Sequence, residues 1–326
     1  RVSYAPLAKR NQLVSFFIIT APKNNNYLMM KENNKAIILA IAAVLSWSTV
    51  ATAFKKSLEN LSPYGMLLIA SITSLIIFAT TITIQRKWGY IASMPNKTWR
   101  YFALLGLLNP VAYYLVLFKS YDLLPAQVAQ PVNYFWPILL LILLAVFTKQ
   151  AIPLKKYIGM FISLGGLILI STGGKQSDNM EIHALGLFLG LMSALLWASY
   201  WMVNNKNKNK ADATTACFMS FLFGSIYLVI GVPFIGIDGL LATSTSYFTP
   251  DPINGILSGI YVGAFEMGVP FICFGLAMRK TSNPALINQL CYLSPFLSLF
   301  FVSTILGEQI APTTYIGLVL IVTGII

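Results

Sequence analysis

Glu266 is the only charged residue inside any long apolar stretch of this chain. A carboxylate there costs several kcal/mol unless it is paired, protonated or facing water, which makes it a functional candidate. Two tasks suit it, holding a substrate ammonium group or taking up and releasing a proton; the plainer alternative is a protonated structural acid hydrogen-bonded to a neighbouring helix. Its surroundings are irregular, with Gly263, Gly268 and Pro270 close by, and Pro270 removes a helical hydrogen bond. In the first half of the chain Asn109-Pro110 stands at about the same depth.

A second polar group of residues lies in the stretch 125–137. Gln127, Gln130 and Tyr134 fall at i, i+3 and i+7 and share one helical face, with Asn133 and Trp136 beside them. Pro131 and Pro137 release backbone carbonyls, which membrane depth tolerates only against protein or a water-lined cavity. The stretch 284–306 runs parallel to it: Asn288, Tyr292 and Pro295 fall at i, i+4 and i+7, with Gln289 alongside. Both segments are expected to face a central cavity. The plainer alternative is that their amides only glue helices together. Trp47, Trp197, Tyr200 and Trp201 lie below headgroup level, where aromatic rings either line a cavity or fill the bundle core.

Other chemistries find no residues to carry them. His183, the sole histidine, sits in a polar loop, so no HExxH metal site and no histidine-activated serine is expected. Asp122, Asp178, Asp212, Asp238 and Asp251 also fall in loops. Gly173-Gly174-Lys175-Gln176 lacks the upstream glycine and the Ser/Thr of a phosphate-binding loop, so ATP is not the expected fuel. Cys217, Cys273 and Cys291 form no CxxC pair and read as small buried hydrophobes. No catalytic group, cofactor or metal is expected.

The elements that position these residues follow from composition. The 326 residues are 57% hydrophobic and 10% charged, against about 25% charged in soluble domains, and disorder is excluded by the apolar content. Ten uncharged or nearly uncharged apolar stretches lie at about 36–54, 64–84, 101–118, 125–147, 157–172, 184–203, 213–236, 253–278, 284–306 and 312–326. A membrane helix needs roughly 20 such residues. The expected fold is an all-α membrane protein of ten transmembrane helices. With the N-terminus in the cytoplasm, the alternate loops divide the Lys and Arg residues 18 inside to 4 outside. The net charge of +12 is therefore an orientation signal beside anionic lipid, and no nucleic-acid partner is expected.

Both ends read as atypical. Residues 1–35 form a cytoplasmic segment, and 1–28 start with Arg and loosely imitate a signal peptide around Leu13 to Thr20. Met29 or Met30 is the expected native start. The last stretch, from Pro312, is about 22 Å long as a helix, short for a bilayer, and reads as clipped.

The chain also repeats itself. Pro137, Tyr157, Ile158, Gly159, Gly166 and Ile168 match Pro295, Tyr315, Ile316, Gly317, Gly324 and Ile326 at an offset of 158. Leu45-Ser46-Trp47-Ser48 echoes Leu195-Leu196-Trp197-Ala198, and Leu124-Pro125-Ala126 echoes Asn283-Pro284-Ala285. The unit is five spans, 36–174 and then 182–326, so the second copy inserts upside down. Inverted repeats build many secondary transporters, with the substrate site near the midplane between halves.

With these residues the chain resembles the EamA-type branch of the drug/metabolite transporter superfamily over 36–326. Leu45-Ser46-Trp47-Ser48-Thr49 and Val132-Asn133-Tyr134-Phe135-Trp136-Pro137 are similar to segments of bacterial aromatic amino acid exporters. Phe265-Glu266-Met267-Gly268, Leu293-Ser294-Pro295-Phe296-Leu297 and Leu306-Gly307-Glu308 look more like general EamA permeases. The resemblance implies a multi-pass carrier of the bacterial cytoplasmic membrane, moving a small amino acid or similar amphipathic molecule. The expected pathway is Trp47, Asn109, Gln127, Gln130, Asn133, Tyr134, Trp136, Trp197, Tyr200, Glu266, Asn288, Gln289 and Tyr292. A carrier of nucleotide-linked metabolites, a channel and a scaffold stay open as alternatives, as does a homodimer.

Overall fold

The computed structural model describes residues 23–148, 153–173, 183–206, 211–243, 249–282, 286–287 and 290–326. The expectations for residues 1–22, Asn288 and Gln289 lie outside the described residues. The described chain is helical, with one antiparallel bridge between Leu61 and Leu241. Its first half contains α1 (Lys23–Leu58), α2 (Pro63–Ile84), a short α3 (Trp88–Ala92), α4 (Asn96–Gly106), α5 (Tyr113–Leu123), α6 (Ala126–Asn133), α7 (Trp136–Thr148) and α8 (Leu154–Gly173). The second half contains α9 (Ala184–Lys206), α10 (Ala213–Ile235), α11 (Pro252–Val262), α12 (Val269–Lys280), α13 (Leu293–Ile305) and α14 (Pro312–Ile325).

Local signals set several helix starts. The Ser62 hydroxyl accepts from the Gly65 N–H at 3.1 Å, and Pro63 follows it at the first helical position of α2. Asp251 does the same for α11, accepting from the Ile253 N–H at 2.9 Å ahead of Pro252. α1 begins earlier than the apolar stretch at 36–54, because its polar first turns are also helical.

Among the described residues, seven helical segments are long and apolar enough to cross a membrane: Glu32–Leu58, Pro63–Ile84, Asn96–Leu123, Ala126–Phe147, Ala184–Val203, Ala213–Ile235 and Pro252–Lys280. Their outer faces carry bare large apolar side chains such as Ile76, Leu104, Phe188 and Phe234. In water such a surface would aggregate; it is suited to lipid.

Packing crosses the middle of the chain in reciprocal pairs. α1 packs on α12 and α13, while α9 packs on α5 and α7. α2 meets α10, and α8 meets α14. In the last pair Gly159 faces Gly324, and a Cβ on Gly166 would stand 2.5 Å from the Gly317 carbonyl oxygen. Only glycine permits that approach. Since 159 meets 324 and 166 meets 317, the two helices run antiparallel, and Ser163 donates to the Ile321 carbonyl at 3.0 Å between the glycine pairs.

Four helices are broken where polar residues lie. α4 joins α5 through a wide turn at Leu107–Ala112, and α11 joins α12 through another at Gly263–Gly268. α6 gives way to α7 at Tyr134 and Phe135, and α13 starts after a turn at Cys291 and Tyr292.

Candidate functional site

The site is built around the two wide turns. At the first, Asn109 is extended (φ −143°, ψ 118°) and Pro110 offers no N–H, so the helix cannot run through. The Pro110 ring is accommodated by Gly224 on α10, where a Cβ would lie 2.6 Å from it. Asn109 is fully buried, and neither polar atom of its amide makes a hydrogen bond, although the Tyr200 hydroxyl lies near it. At the second turn, Gly263 rests on α2, 2.5 Å being the distance from a built Cβ to the Ala70 oxygen. Ser74 on α2 donates to the freed Gly263 carbonyl at 2.8 Å.

Glu266 lies 9% exposed in this second turn and is held from the first half of the chain. The Tyr114 hydroxyl donates to Glu266 Oε1 at 3.1 Å, and Trp47 Nε1 donates to the Glu266 backbone oxygen at 3.1 Å. Tyr114 comes from α5 and Trp47 from α1, so Glu266 stands at a junction of three helical segments.

Aromatic rings extend the junction. Trp47 contacts Phe274 at 5.6 Å and Phe271 at 6.4 Å between centroids. Phe271 reaches Trp197 at 6.2 Å, and Trp197 stacks on Tyr113 at 4.7 Å and on Tyr200 at 5.4 Å. Trp136 and Trp201 lie nearly parallel at 6.5 Å. Trp47, Trp136, Trp197 and Phe271 are each only partly buried.

The polar face of α6 divides. Asn133 belongs to the junction: its Oδ1 accepts from the Tyr113 hydroxyl at 3.4 Å and its Nδ2 donates to Ser193 at 2.9 Å. Gln130 is buried with an unpartnered Oε1, and Tyr134 lies beside Cys291, Tyr292 and Ser294. Gln127 is engaged away from the junction. Its Nε2 donates to the Gln309 carbonyl at 2.9 Å, and its Oε1 accepts from the Ala311 N–H at 3.0 Å and the Thr314 hydroxyl at 3.1 Å. Those bonds occupy its amide and tie α6 to the loop before α14 and its first turn.

Three partners were missed from the sequence: Tyr113, Tyr114 and Phe271. Tyr113 and Tyr114 directly follow the Asn109-Pro110 break by one turn, a polar-tipped pair in an apolar stretch, and that was the available signal. Phe271 offered none, since phenylalanine is common throughout this chain.

Ion pairs sit at the ends of the bundle. Lys87 meets Asp212 at 2.9 Å, and Lys280 meets Glu32 at 2.5 Å. Burial pushes the Asp212 carboxyl up, but hydrogen bonds from Lys87 and Thr215 outweigh it and hold the group below its ordinary value.

An all-helical, multi-pass membrane protein whose broken helices bring polar and aromatic groups together inside the bundle has the build of a transporter. The chain belongs to the EamA-like transporter family, whose model matches residues 34–172 and 184–326. It is 23% identical over 232 residues to the uncharacterized transporter YvbV of Bacillus subtilis (strain 168), covering 71% of this chain and 72% of that one. It is 22% identical to the aromatic amino acid exporter YddG of Escherichia coli (strain K12), over 89% of this chain and 95% of that one. A probable terminal-alkyne amino-acid exporter of Streptantibioticus cattleyicolor is 21% identical, with 89% and 92% covered. A solved crystal structure shares the fold with a TM-score of 0.60 at 18% identity, covering 90% of this chain and 95% of that one.

Proposed function

We propose that the protein exports amino acids or similarly amphipathic small metabolites by alternating access between two five-helix halves of opposite topology. The observation that carries this reading is the junction at Glu266. Glu266 in one half accepts from a tyrosine of the other at its carboxyl and from a tryptophan at its backbone oxygen, among partly exposed aromatic rings. A carboxylate recognises an ammonium group, and ring faces recognise cations and apolar or planar side chains. The two properties together fit an amino acid. The names of the exporting relatives point the same way.

Ten spans in inverted halves are supported by the duplicated sequence and by the antiparallel contact of α8 with α14, which the duplication makes equivalent. The Lys and Arg imbalance supports a cytoplasmic N-terminus, and the bacterial relatives support a cytoplasmic-membrane location. In the pathway we include Trp47, Asn109, Gln130, Asn133, Tyr134, Trp136, Trp197, Tyr200, Glu266 and Tyr292, with Tyr113, Tyr114 and Phe271 added.

The test is uptake of a labelled amino acid panel into liposomes holding the purified protein, against the Glu266→Gln variant. Saturable flux lost in the variant is expected. Flux of a nucleotide-linked metabolite with none of any amino acid would replace this reading.

A further inference from the structure

One end of the bundle carries a set of cross-half bonds that the pathway does not use. Glu308, in the loop before α14, spreads its carboxylate over the first N–H groups of α6: Oε1 accepts from Ala126 at 3.0 Å and Oε2 from Gln127 at 3.3 Å. A helix N-terminus has such N–H groups to spare, and a carboxylate there is stabilised by both hydrogen bonds and the helix dipole. The Gln127 side chain returns the grip through Gln309, Ala311 and Thr314. Beside them Lys55 ties the end of α1 to the end of α5, donating to the Tyr121 and Leu124 carbonyls at 3.0 and 3.1 Å. Lys55 also lies within electrostatic reach of Glu308.

The duplication allows this end to be compared with its counterpart in sequence. At the offset that matches Leu124-Pro125-Ala126 to Asn283-Pro284-Ala285, Gln127 corresponds to Leu286. Glu308 corresponds to Gln150 at the offset of 158, or to Lys149 when Pro312 is matched to Pro153. Lys55 corresponds to Asn205. At the matching positions the sequence of the other half thus carries neither the carboxylate of Glu308 nor the amide of Gln127.

We infer that Glu308 and Gln127 form a latch that holds the carrier shut at the end bearing the 124–125 and 306–311 loops, making the state open to the opposite end its resting state. The inference rests on the alternating-access reading. Opening the latched end requires α6 and the α14 loop to part, and the bonds of Glu308 and Gln127 then break. Water replaces those bonds once the end is open, so the latch is reversible. With the N-terminus in the cytoplasm, the latched end is the outer one, and the resting carrier loads from inside. Glu308 is a positioning residue here and touches no substrate.

The experiment is reaction of a membrane-impermeant maleimide with Tyr134→Cys in a chain with Cys217, Cys273 and Cys291 replaced by serine, applied from either side of oriented vesicles. In the otherwise unchanged chain, labelling from the inner side alone is expected. Glu308→Gln should raise outer-side labelling roughly tenfold, since a charged acceptor is lost. Gln127→Leu, which installs the residue of the other half, should do the same if Glu308→Gln fails to fold. Glu32→Gln, which breaks an ion pair at the opposite end, should not. Inner-side labelling that neither latch variant changes overturns the latch and leaves the carrier reading standing. Simultaneous labelling from both sides in the unchanged chain overturns alternating access itself.

Discussion

The two wide turns interrupt helices of the two halves by different backbone routes, Asn109 being extended in the first while the second stays helical through Gly263–Gly268, and they carry different chemistry. At Leu107–Ala112 the break presents a neutral amide whose polar atoms make no hydrogen bond; at Gly263–Gly268 it presents a carboxyl bonded to Tyr114, with its backbone oxygen taken by Trp47. Each turn is approached by the second long helix of the opposite half, α10 for the first and α2 for the second. In both cases a glycine permits the approach: Gly224 against Pro110, and Gly263 against Ala70. A break is common to both halves; its backbone shape and its charge are not. An opening in the backbone is thus part of the scaffold, while the residue placed in it sets what the opening does.

Several experiments would break or sharpen this contrast. The largest effect is expected from Glu266→Gln, which keeps the shape and removes the charge. Initial flux should fall up to about a hundredfold, as for loss of a charged hydrogen bond of about 3 kcal/mol, measured in liposomes. If Asn109→Asp in the same variant restored flux, the two turns would be interchangeable and the contrast would fail.

Next in size is Gly263→Ala. Its methyl group would stand 2.5 Å from the Ala70 oxygen and 2.7 Å from Thr73 Cβ, so a loss of about 1–3 kcal/mol is expected in detergent unfolding. An unchanged unfolding midpoint would show that the approach of α2 is not tight. Trp47→Phe keeps the ring and removes the bond to the Glu266 oxygen. About 1 kcal/mol of stability should go with it.

Asn109→Leu should act oppositely on stability and function. Removing two buried polar atoms without partners leaves stability equal or raises it by up to about 1 kcal/mol, while flux drops if the amide meets substrate. Falling stability together with unchanged flux would make Asn109 a structural residue.

The smallest effect belongs to Asp212, remote from both turns. Its folded value lies below the ordinary carboxylate value. The contribution of its pair with Lys87 is therefore complete above about pH 4 and lost as pH falls through the folded value. Asp212→Asn should lower stability at pH 7 by less than about 1 kcal/mol, and the gap should close at pH 3.

Much of the architecture was legible because the bilayer imposes a simple rule on composition. Apolar stretches interrupted by Lys, Arg and Asp marked the helices, and Glu266 stood out as the only charge within them. Pro110 and Pro270 marked the two turns, since proline cannot donate a helical hydrogen bond. Gln127 illustrates what was not legible. Its spacing to Gln130 and Tyr134 put it on one helical face, which is correct as geometry, but a face does not say what lies opposite. Gln127 meets the loop before α14 while Asn133, less than two turns on, meets Tyr113 and Ser193.

The sequence alone determined the helical class, the duplication, the breaks and the position of the lone carboxyl. Each of these depends on short-range rules, namely backbone hydrogen bonding, apolar run length and proline's missing N–H. Only the tertiary structure decided that Tyr114 and Trp47 hold Glu266, that Trp197 joins Tyr113 to Phe271, and that Glu308 grips α6. Those contacts join residues far apart in the chain, and in spans apolar on every face no periodicity tells which face meets which neighbour. Packing between helices, governed by where glycines allow close approach, supplies that choice.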